Sequence, residues 1–145
     1  MNYLYSNDFN EPMGNSSGVP ESNMERLRYS EKQLFKAAEE AYEIVRAYEI
    51  GLGSFRESWA DTPHWSKRSA IEMVKYIAAN PDLDDAELHD HWVYYKISTG
   101  WVLGDVYSLD LASHPCLVPY TDLAPELMTK ITLFRLTVKR VLEIP

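Results

Sequence analysis

The chain has 145 residues, a length that suits one compact domain with its own hydrophobic core. Hydrophobic residues make up 46% of the sequence and charged residues 25%, a balance that excludes disordered, collagen-like and fibrous proteins. The net charge is −8, from 14 Lys and Arg against 22 Asp and Glu, which disfavours general binding to nucleic-acid polymers and to anionic membranes.

Cysteine use and the length of apolar runs bear on the cellular compartment. Cys116 is the single cysteine, so an intrachain disulfide and a cysteine-based zinc cluster are excluded, and a reducing compartment fits. Residues 1–19 lack the basic and apolar pattern of a secretion signal, and no apolar run approaches the length of a membrane span. We therefore predict a cytoplasmic protein without a membrane partner.

The N-terminal part of the chain is predicted to be a tail followed by a long helix. Residues 1–22 are rich in Asn, Ser, Gly and Pro, a composition typical of a flexible tail. From about residue 23 to residue 50 the pattern is helical, and Gly51 and Gly53 then act as stop signals. Its apolar positions recur at three- and four-residue steps: Leu34, Ala38, Ala41, Val45, Tyr48 and Leu52.

Two further helices are predicted next. Thr62 is an N-cap candidate with Pro63 as the first helical residue, and this second helix runs to about residue 79, before an Asn-Pro pair. A third helix is predicted over about residues 85–98, because acidic residues gather at its first turn, where the helix dipole favours them. Gly100 closes this third helix.

The C-terminal part is predicted to contain loops with two brief strands and then a last helix. The strands are expected at 101–103 and 116–118, which are short β-prone runs between Gly and Pro residues. Thr121 or Asp122 can cap the last helix, with Pro125 in its first turn. Its predicted buried stripe is Leu127, Ile131, Phe134, Val138 and Val141. Its basic residues, expected to complement the C-terminal dipole, are Lys130, Arg135, Lys139 and Arg140.

The third helix carries the residues best suited to hold a ligand. His89, Trp92 and Lys96 share one face at i, i+3 and i+7. The indole can stack on a planar base, the ammonium can meet a phosphate, and the imidazole can supply a hydrogen bond. The alternative is a core tryptophan beside a solvated lysine. The pocket is favoured because residues 91–120 carry only three formal charges but six aromatic side chains.

An ordered set of residues follows the tryptophan of this helix. It consists of Lys96, the Gly100-Trp101 pair, Gly104, and the run His114-Pro115-Cys116-Leu117-Val118-Pro119-Tyr120 before a helix. This set resembles the ryanodine-receptor (RyR) domain family, whose pattern is a Trp, a basic residue four positions later, a Gly-Trp pair, a Gly and a His-Pro-x-Leu-Val-Pro-Tyr stretch. The upstream part of the chain, with Trp59, Pro63 and Trp65, resembles small stand-alone RyR-domain proteins encoded by bacteriophages.

The resemblance implies a mainly α (α+β) fold with a short strand and loop insert. It implies a single RyR-like domain over 23–145, in which extra helices over 23–80 precede a core module over 84–143. This chain departs from the family at 108–113, where many members have a basic residue before the His-Pro pair and this sequence has none.

The resemblance also implies a ligand class. In the calcium-release channels this module is associated with adenine nucleotides, and the positions of two of their contacts match Trp92 and Lys96. In prokaryotes it is linked to immune systems that signal with nucleotide or NAD-derived messengers. A phage copy would then be a sponge in the host cytoplasm, a protein that lowers the free concentration of the messenger by binding it.

The predicted ligand-binding residues are His89, Trp92, Lys96, Trp101, His114 and Tyr120. Trp101 either plugs the core or forms a wall of the pocket. His114 either faces the ligand or holds its loop through a bond to a carbonyl. Tyr120 either offers its hydroxyl to a phosphate or anchors the loop to the last helix.

Other kinds of site have weaker support. His89 and His91 point roughly 200° apart on a helix, so they cannot close on one metal ion. Cys116 and His114 lack a third group for nucleophilic catalysis. Together with these residues, the resemblance implies non-catalytic binding of an adenine- or ADP-ribose-containing ligand, without metal or cofactor. The first alternative is a protein-interaction module, and the second is a nucleotide-cleaving enzyme. A homo-oligomer, in which a neighbouring chain completes the pocket, fits the binding function.

Overall fold

The computed structural model describes residues 28–145, so the predicted tail and the first residues of the predicted long helix lie outside the described residues. The described part contains four α-helices and one small sheet. The helices are α1 (Glu31–Gly51), α2 (His64–Ala79), α3 (Asp85–Ser98) and α4 (Pro125–Val141). The sheet consists of two parallel strands, β1 (Val102–Leu103) and β2 (Ser113–His114). The prediction of a mainly α fold with a short strand insert is confirmed.

Helix α1 begins later than predicted because of a local capping box. The Ser30 hydroxyl accepts the Gln33 N–H at 3.2 Å, and the Gln33 side-chain oxygen accepts the Ser30 N–H at 2.8 Å. Residues 28–30 are therefore not helical, although the apolar periodicity had suggested a start near residue 23.

The predicted N-cap of the second helix was wrong. Helix α2 begins at His64 with Pro63 as its N-cap. The Thr62 hydroxyl lies 2.8 Å from the Ser58 carbonyl oxygen and 2.8 Å from the Tyr42 hydroxyl. Because Thr62 is engaged with α1 and with its own loop, its side chain cannot turn toward the open N–H groups of α2.

The second strand lies nearer the N-terminus than predicted. Strand β2 is formed by residues 113–114, and 116–118 is not a strand, because Pro115 has no N–H to continue a ladder. The Val102 N–H donates to the Ala112 carbonyl at 2.8 Å, and the Gly104 N–H donates to the His114 carbonyl at 3.4 Å. The position of β2 is therefore set by its partner strand rather than by β propensity.

The last helix also differs from its prediction at the N-cap. The residues expected there form a 3-10 turn, Tyr120–Asp122, and α4 is capped by Ala124 without a side-chain hydrogen bond. Within the predicted stripe Ile131, Phe134 and Val138 are buried, and the two outer positions are half-buried.

The basic residues of α4 have two different environments. Lys139 and Arg140 lie in its last turn, as predicted. Lys130 is instead buried in contact with α1, and Arg135 forms an ion pair with Asp85 of α3. These two side chains therefore join helices rather than complement a dipole.

Three of these helices end with the same hydrogen-bond motif, in which the residue after the C-cap has a positive φ. Gly53 (φ 90°) follows α1, Gly100 (φ 101°) follows α3 and Glu143 (φ 56°) follows α4. After α3, the Trp101 N–H donates to the Lys96 carbonyl with an N to O distance of 3.0 Å. The motif therefore brings Trp101 next to the last turn of α3.

The hydrophobic core draws on all four helices. Helix α1 packs against α2 and α4, and α3 lies against α2 and α4. Small side chains on α1 permit close approach of its neighbours: Ala37, Ala38 and Ala41, each 0% exposed. Within residues 28–145, no helix has the length and apolar character needed to cross a bilayer.

Candidate functional site: an aromatic cluster around Lys96

The centre of the site is a lysine ammonium between two indole rings. The Lys96 Nζ lies 5.8 Å from the centroid of the Trp92 ring and 5.2 Å from that of Trp101, and the lysine is 0% exposed. The negative faces of indole rings attract a cation, and this attraction grows when water is excluded. We call Trp92, Lys96, Trp101, Tyr107 and His114 the aromatic cluster.

His114 lies in the middle of this cluster. Its ring meets those of Trp92, Trp101 and Tyr107 edge to face, at centroid distances of 4.9, 6.1 and 5.5 Å. Its Nδ1 accepts the Cys116 N–H at 3.1 Å, so Nδ1 carries no proton. The imidazole therefore holds the loop after β2 by accepting from an amide, where a bond to a carbonyl had been expected.

Trp101 is the cluster residue with an unsatisfied polar atom. Its indole is 1% exposed, and among the described residues its Nε1–H has no hydrogen-bond acceptor. A buried donor without an acceptor is costly, and a ligand that brought an acceptor would remove that cost. In the present conformation the indole packs in the core, and it becomes a pocket wall only if the loop above it moves.

His89 contacts the cluster through the Trp92 ring. Its Nε2 bonds to the Val118 carbonyl at 2.7 Å, and its ring is stacked against Trp92 at a centroid distance of 5.5 Å. Burial lowers the pKa of His89, against the opposing effects of the Val118 bond and of the Asp90 carboxylate. The imidazole is thus held neutral and ties α3 to the segment before α4.

Tyr120 contacts the predicted site through His89. It is half-buried, and its ring centroid lies 6.3 Å from that of His89. Burial raises the pKa of Tyr120, and the carboxylates of Asp85 and Asp84 raise it further. Acidic neighbours make this edge less suited to a phosphate than the surroundings of Lys96.

Tyr107 belongs to the cluster although it was not among the predicted site residues. Its ring is stacked on Trp101 at 5.7 Å with an interplanar angle of 27°. Burial, followed by the nearby Glu57 carboxylate, raises the pKa of Tyr107 to about 12. The sequence places Tyr107 in the aromatic, weakly charged segment 91–120, but nothing in the sequence distinguishes it from the other tyrosines of that segment.

The cluster is closed to solvent in this conformation. Four of its members are at most 1% exposed: Trp92, Lys96, Trp101 and His114. A cavity of about 20 Å³ lies beside Trp92 and His89 and is otherwise lined mainly by apolar side chains. This volume holds about one water molecule, so the cavity as it stands is far too small for a nucleotide.

The two histidines considered for a metal point to different parts of the molecule. His89 faces Val118, whereas His91 Nε2 lies 3.2 Å from the Glu72 carboxylate and its ring is stacked on Tyr76 at 3.6 Å. In the described part of the chain, no group of three or more His, Cys, Asp or Glu is arranged to hold a metal ion.

A buried ion triad, which we define as Glu49, Arg56 and Lys130, lies outside the predicted site. The Glu49 carboxylate accepts from Lys130 Nζ at 3.1 Å and from the Arg56 guanidinium, which lies over the Tyr42 ring at 4.2 Å. Burial lowers the pKa of Lys130, while Glu49 raises it. The sequence offered no signal for this triad, because Lys130 lies 81 residues from Glu49 and no local spacing relates them.

The similarity of the chain to known proteins lies at the level of a domain family. No curated protein and no solved structure matches the chain. A family model, the RyR domain, matches residues 63–142. The matched part is more than half of the chain and contains α2, α3, both strands and α4. The chain therefore belongs to the RyR domain family, and this membership suggests a binding or interaction module.

Proposed function

We propose that the aromatic cluster binds a small nucleotide-like anion, containing adenine or ADP-ribose, without converting it. The observation that carries the proposal is the Lys96 ammonium between the Trp92 and Trp101 rings. A fixed positive charge in a water-poor site attracts a phosphate far more strongly than one in bulk water. The indole rings beside it offer flat faces for a base, and the Trp101 N–H awaits an acceptor.

Entry of the ligand requires the loop 103–112 to swing outward with Tyr107. Between its two ladder bonds, at Gly104 and Ala112, this loop is tied back to β2 through Ser113: the Ser113 hydroxyl donates to the Val106 carbonyl at 2.9 Å, and Ser108 and Ser113 exchange two backbone bonds of 3.0 Å. A surface loop with few buried contacts opens at low free-energy cost. After closure, the same loop would slow dissociation of the ligand.

Slow dissociation suits a sponge, the role implied by the resemblance to phage-encoded RyR-domain proteins. We propose that the chain sequesters a nucleotide or NAD-derived messenger of a host immune system in the host cytoplasm. The net charge of −8 supports a single small anion held at fixed points rather than a nucleic-acid polymer.

The test is to incubate the full chain with ATP, ADP-ribose, cyclic ADP-ribose and cyclic di- and trinucleotides. The protein is then separated, denatured, and the released compound identified by mass spectrometry. We expect one compound to be recovered intact and in stoichiometric amount. Recovery of a converted product would indicate an enzyme, and failure of every compound to bind would overturn the proposal.

Variants identify the site. Lys96→Met keeps the volume of the side chain and removes its charge, and Trp101→Phe keeps a ring and removes the N–H donor; both should weaken binding. Tyr94 lies on the exposed face of the same helix, with 62% of its surface exposed, so Tyr94→Ala should leave binding unchanged. Equal affinity of the wild type and Lys96→Met would exclude the cluster as the binding site.

A second function, an interaction module, is favoured by one specific observation. The outer side of the loop that covers the cluster is apolar and exposed, whereas its inner side carries Tyr107. An exposed apolar patch of this kind is typical of a protein contact.

A further inference from the structure

The outer surface of the β1 region is unusually apolar for an exposed loop. We define the β1 edge surface as residues 102–111. Its large apolar side chains are between 43% and 73% exposed: Val102, Leu103, Val106, Leu109 and Leu111. Scattered single apolar residues are normal on a protein surface, whereas five within ten consecutive positions mark a contact site.

The backbone of β1 has a free edge. Strand β2 is the one strand paired with β1 within residues 28–145, and the other side of β2 is occupied by its bridge to Ser108. The ladder uses the N–H groups of Val102 and Gly104, which lie on either side of Leu103. In a parallel ladder alternate residues face opposite edges, so the N–H and C=O of Leu103 point away from β2.

The stretch of chain that carries this edge is acidic. Residues 97–129 contain Asp105, Asp110, Asp122 and Glu126 but no Lys or Arg. The lysines that flank this stretch, Lys96 and Lys130, are buried at 0% and 5% exposure. The edge also lacks the lysine or proline by which many proteins protect an exposed strand.

We infer that the β1 edge surface binds an extended, lysine- or arginine-bearing apolar segment of a partner protein, which adds to β1 as a further strand. The Leu103 N–H and C=O supply the main-chain hydrogen bonds, the exposed apolar side chains supply burial, and Asp105 and Asp110 select a basic segment. A second copy of this chain fits less well, because pairing two such edges brings their acidic groups together. The exposed apolar side chains of this site lie on the outer side of the loop, whereas Tyr107 of the same loop faces the aromatic cluster.

The probe is a short fluorescent peptide of alternating lysine and valine, titrated into the full chain and followed by anisotropy. Two control peptides carry glutamate in place of lysine, or N-methyl groups on the peptide bonds that would pair with β1. We expect the lysine peptide to bind, to weaken as salt is added, and to protect the Leu103 amide from hydrogen exchange. Both control peptides should fail to bind.

Protein variants separate edge pairing from general stickiness. Leu103→Pro removes the outward N–H while the ladder bonds of Val102 and Gly104 remain, and one lost backbone bond corresponds to roughly tenfold weaker binding. Asp105→Lys should weaken binding by charge. Leu136→Ser changes an apolar residue on α4 that is 50% exposed and should have no effect. Circular dichroism and thermal unfolding establish that each variant is folded.

Each other result overturns the inference. If no peptide binds the wild type, the surface is not a peptide site. If Leu103→Pro binds the lysine peptide as well as the wild type does, or if the wild type binds the N-methylated peptide equally well, the peptide does not add as a strand. Equal binding of the glutamate peptide removes the basic partner. A dimer of the wild type that Leu103→Pro converts to monomer would make a second copy the occupant. Because the proposed gate for the nucleotide is the same loop, Lys96→Met tells the two proposals apart: it should weaken nucleotide binding and leave peptide binding unchanged.

Discussion

At the scale of single residues, Glu143 stands where the other two helices with this ending have glycine. The N–H of Ile144 donates to the Lys139 carbonyl at 2.7 Å and that of Glu143 to the Arg140 carbonyl at 3.2 Å, so the motif is complete. A residue with a Cβ atom is strained at a φ of 56°. Glu143 is exposed, so its side chain contributes no packing that would offset this strain.

We predict that Glu143→Gly raises the free energy of unfolding by about 1 kcal/mol, because glycine adopts this φ without strain. Thermal or urea unfolding measures the change. Glu143→Ala is the control: it removes the same carboxylate but keeps the Cβ atom, and should gain little. Equal stabilisation by both substitutions would assign the effect to charge and contradict the prediction.

The phenol of Tyr107 should make stability depend on alkaline pH. Its pKa is about 12 in the folded protein against an ordinary value of 10.0, so between these values the unfolded chain loses a proton that the folded chain keeps. The stabilisation is complete below pH 10 and is lost as the pH rises toward 12. Tyr107→Phe should flatten this part of the profile in unfolding measurements.

Glu57 gives a second check on Tyr107. Because its carboxylate contributes to the raised pKa, Glu57→Gln should move the titration of the phenol, followed by ultraviolet absorbance, toward lower pH. Burial is the larger cause of the raised pKa, so Glu57→Gln should bring the pKa of Tyr107 only part of the way back to its ordinary value. A Tyr107→Phe protein with the wild-type alkaline profile would show that other groups cause the loss of stability.

At the scale of elements, the buried ion triad joins α1, α4 and the segment between α1 and α2. Glu49 and Lys130 are 4% and 5% exposed, and Arg56 is 2% exposed. Two cations share one carboxylate, so loss of the carboxylate should destabilise the protein more than loss of either cation. The neighbouring α1 residues Tyr42 and Arg46 hold the same segment by donating to the Glu57 and Arg56 carbonyls at 2.8 and 2.9 Å.

We predict that Glu49→Gln lowers the free energy of unfolding by about 3–5 kcal/mol, because it leaves two buried cations together. Adding Lys130→Met to this variant should restore part of the loss. The control is Glu43→Gln on the same helix, whose ion pair with Arg46 is about one-third exposed and contributes less than about 1 kcal/mol. Similar losses from both single variants in urea unfolding would contradict the prediction.

At the scale of the whole molecule, α1 is needed although it lies outside the matched range of the family. The match begins at residue 63, but α1 buries its apolar face against α2 and α4 and supplies Glu49 to Lys130. Without α1, the stripe of α4 would face water and Lys130 would lose this carboxylate.

We predict that a fragment of residues 63–145 does not fold cooperatively, whereas the full chain does. Circular dichroism should show reduced helix content in the fragment, and its thermal transition should be broad or absent. Adding a synthetic peptide of residues 28–62 should restore part of the signal. A sharp transition of the fragment alone would show that α1 is dispensable.

The sequence by itself determined the features that depend on neighbouring residues. The third helix was predicted at the observed bounds because its signals are local: acidic residues at its first turn, where Asp84 and Glu87 form a capping box in the structure, and Gly100 after its end. The same ending places Trp101 near Lys96, so part of the candidate site is encoded within six consecutive residues. The mainly helical class also follows from local periodicity.

The tertiary structure alone decided the features that join distant parts of the chain. Thr62 is a good N-cap by composition, yet its hydroxyl bonds to Tyr42, and β2 follows its partner strand rather than the β-prone run after Pro115. Burial of Lys130 against Glu49 and the stacking of Tyr107 on Trp101 likewise have no local signal. The physical reason is that hydrogen bonds between neighbouring residues determine where helices end, whereas contacts between distant residues determine which polar groups are buried in the core.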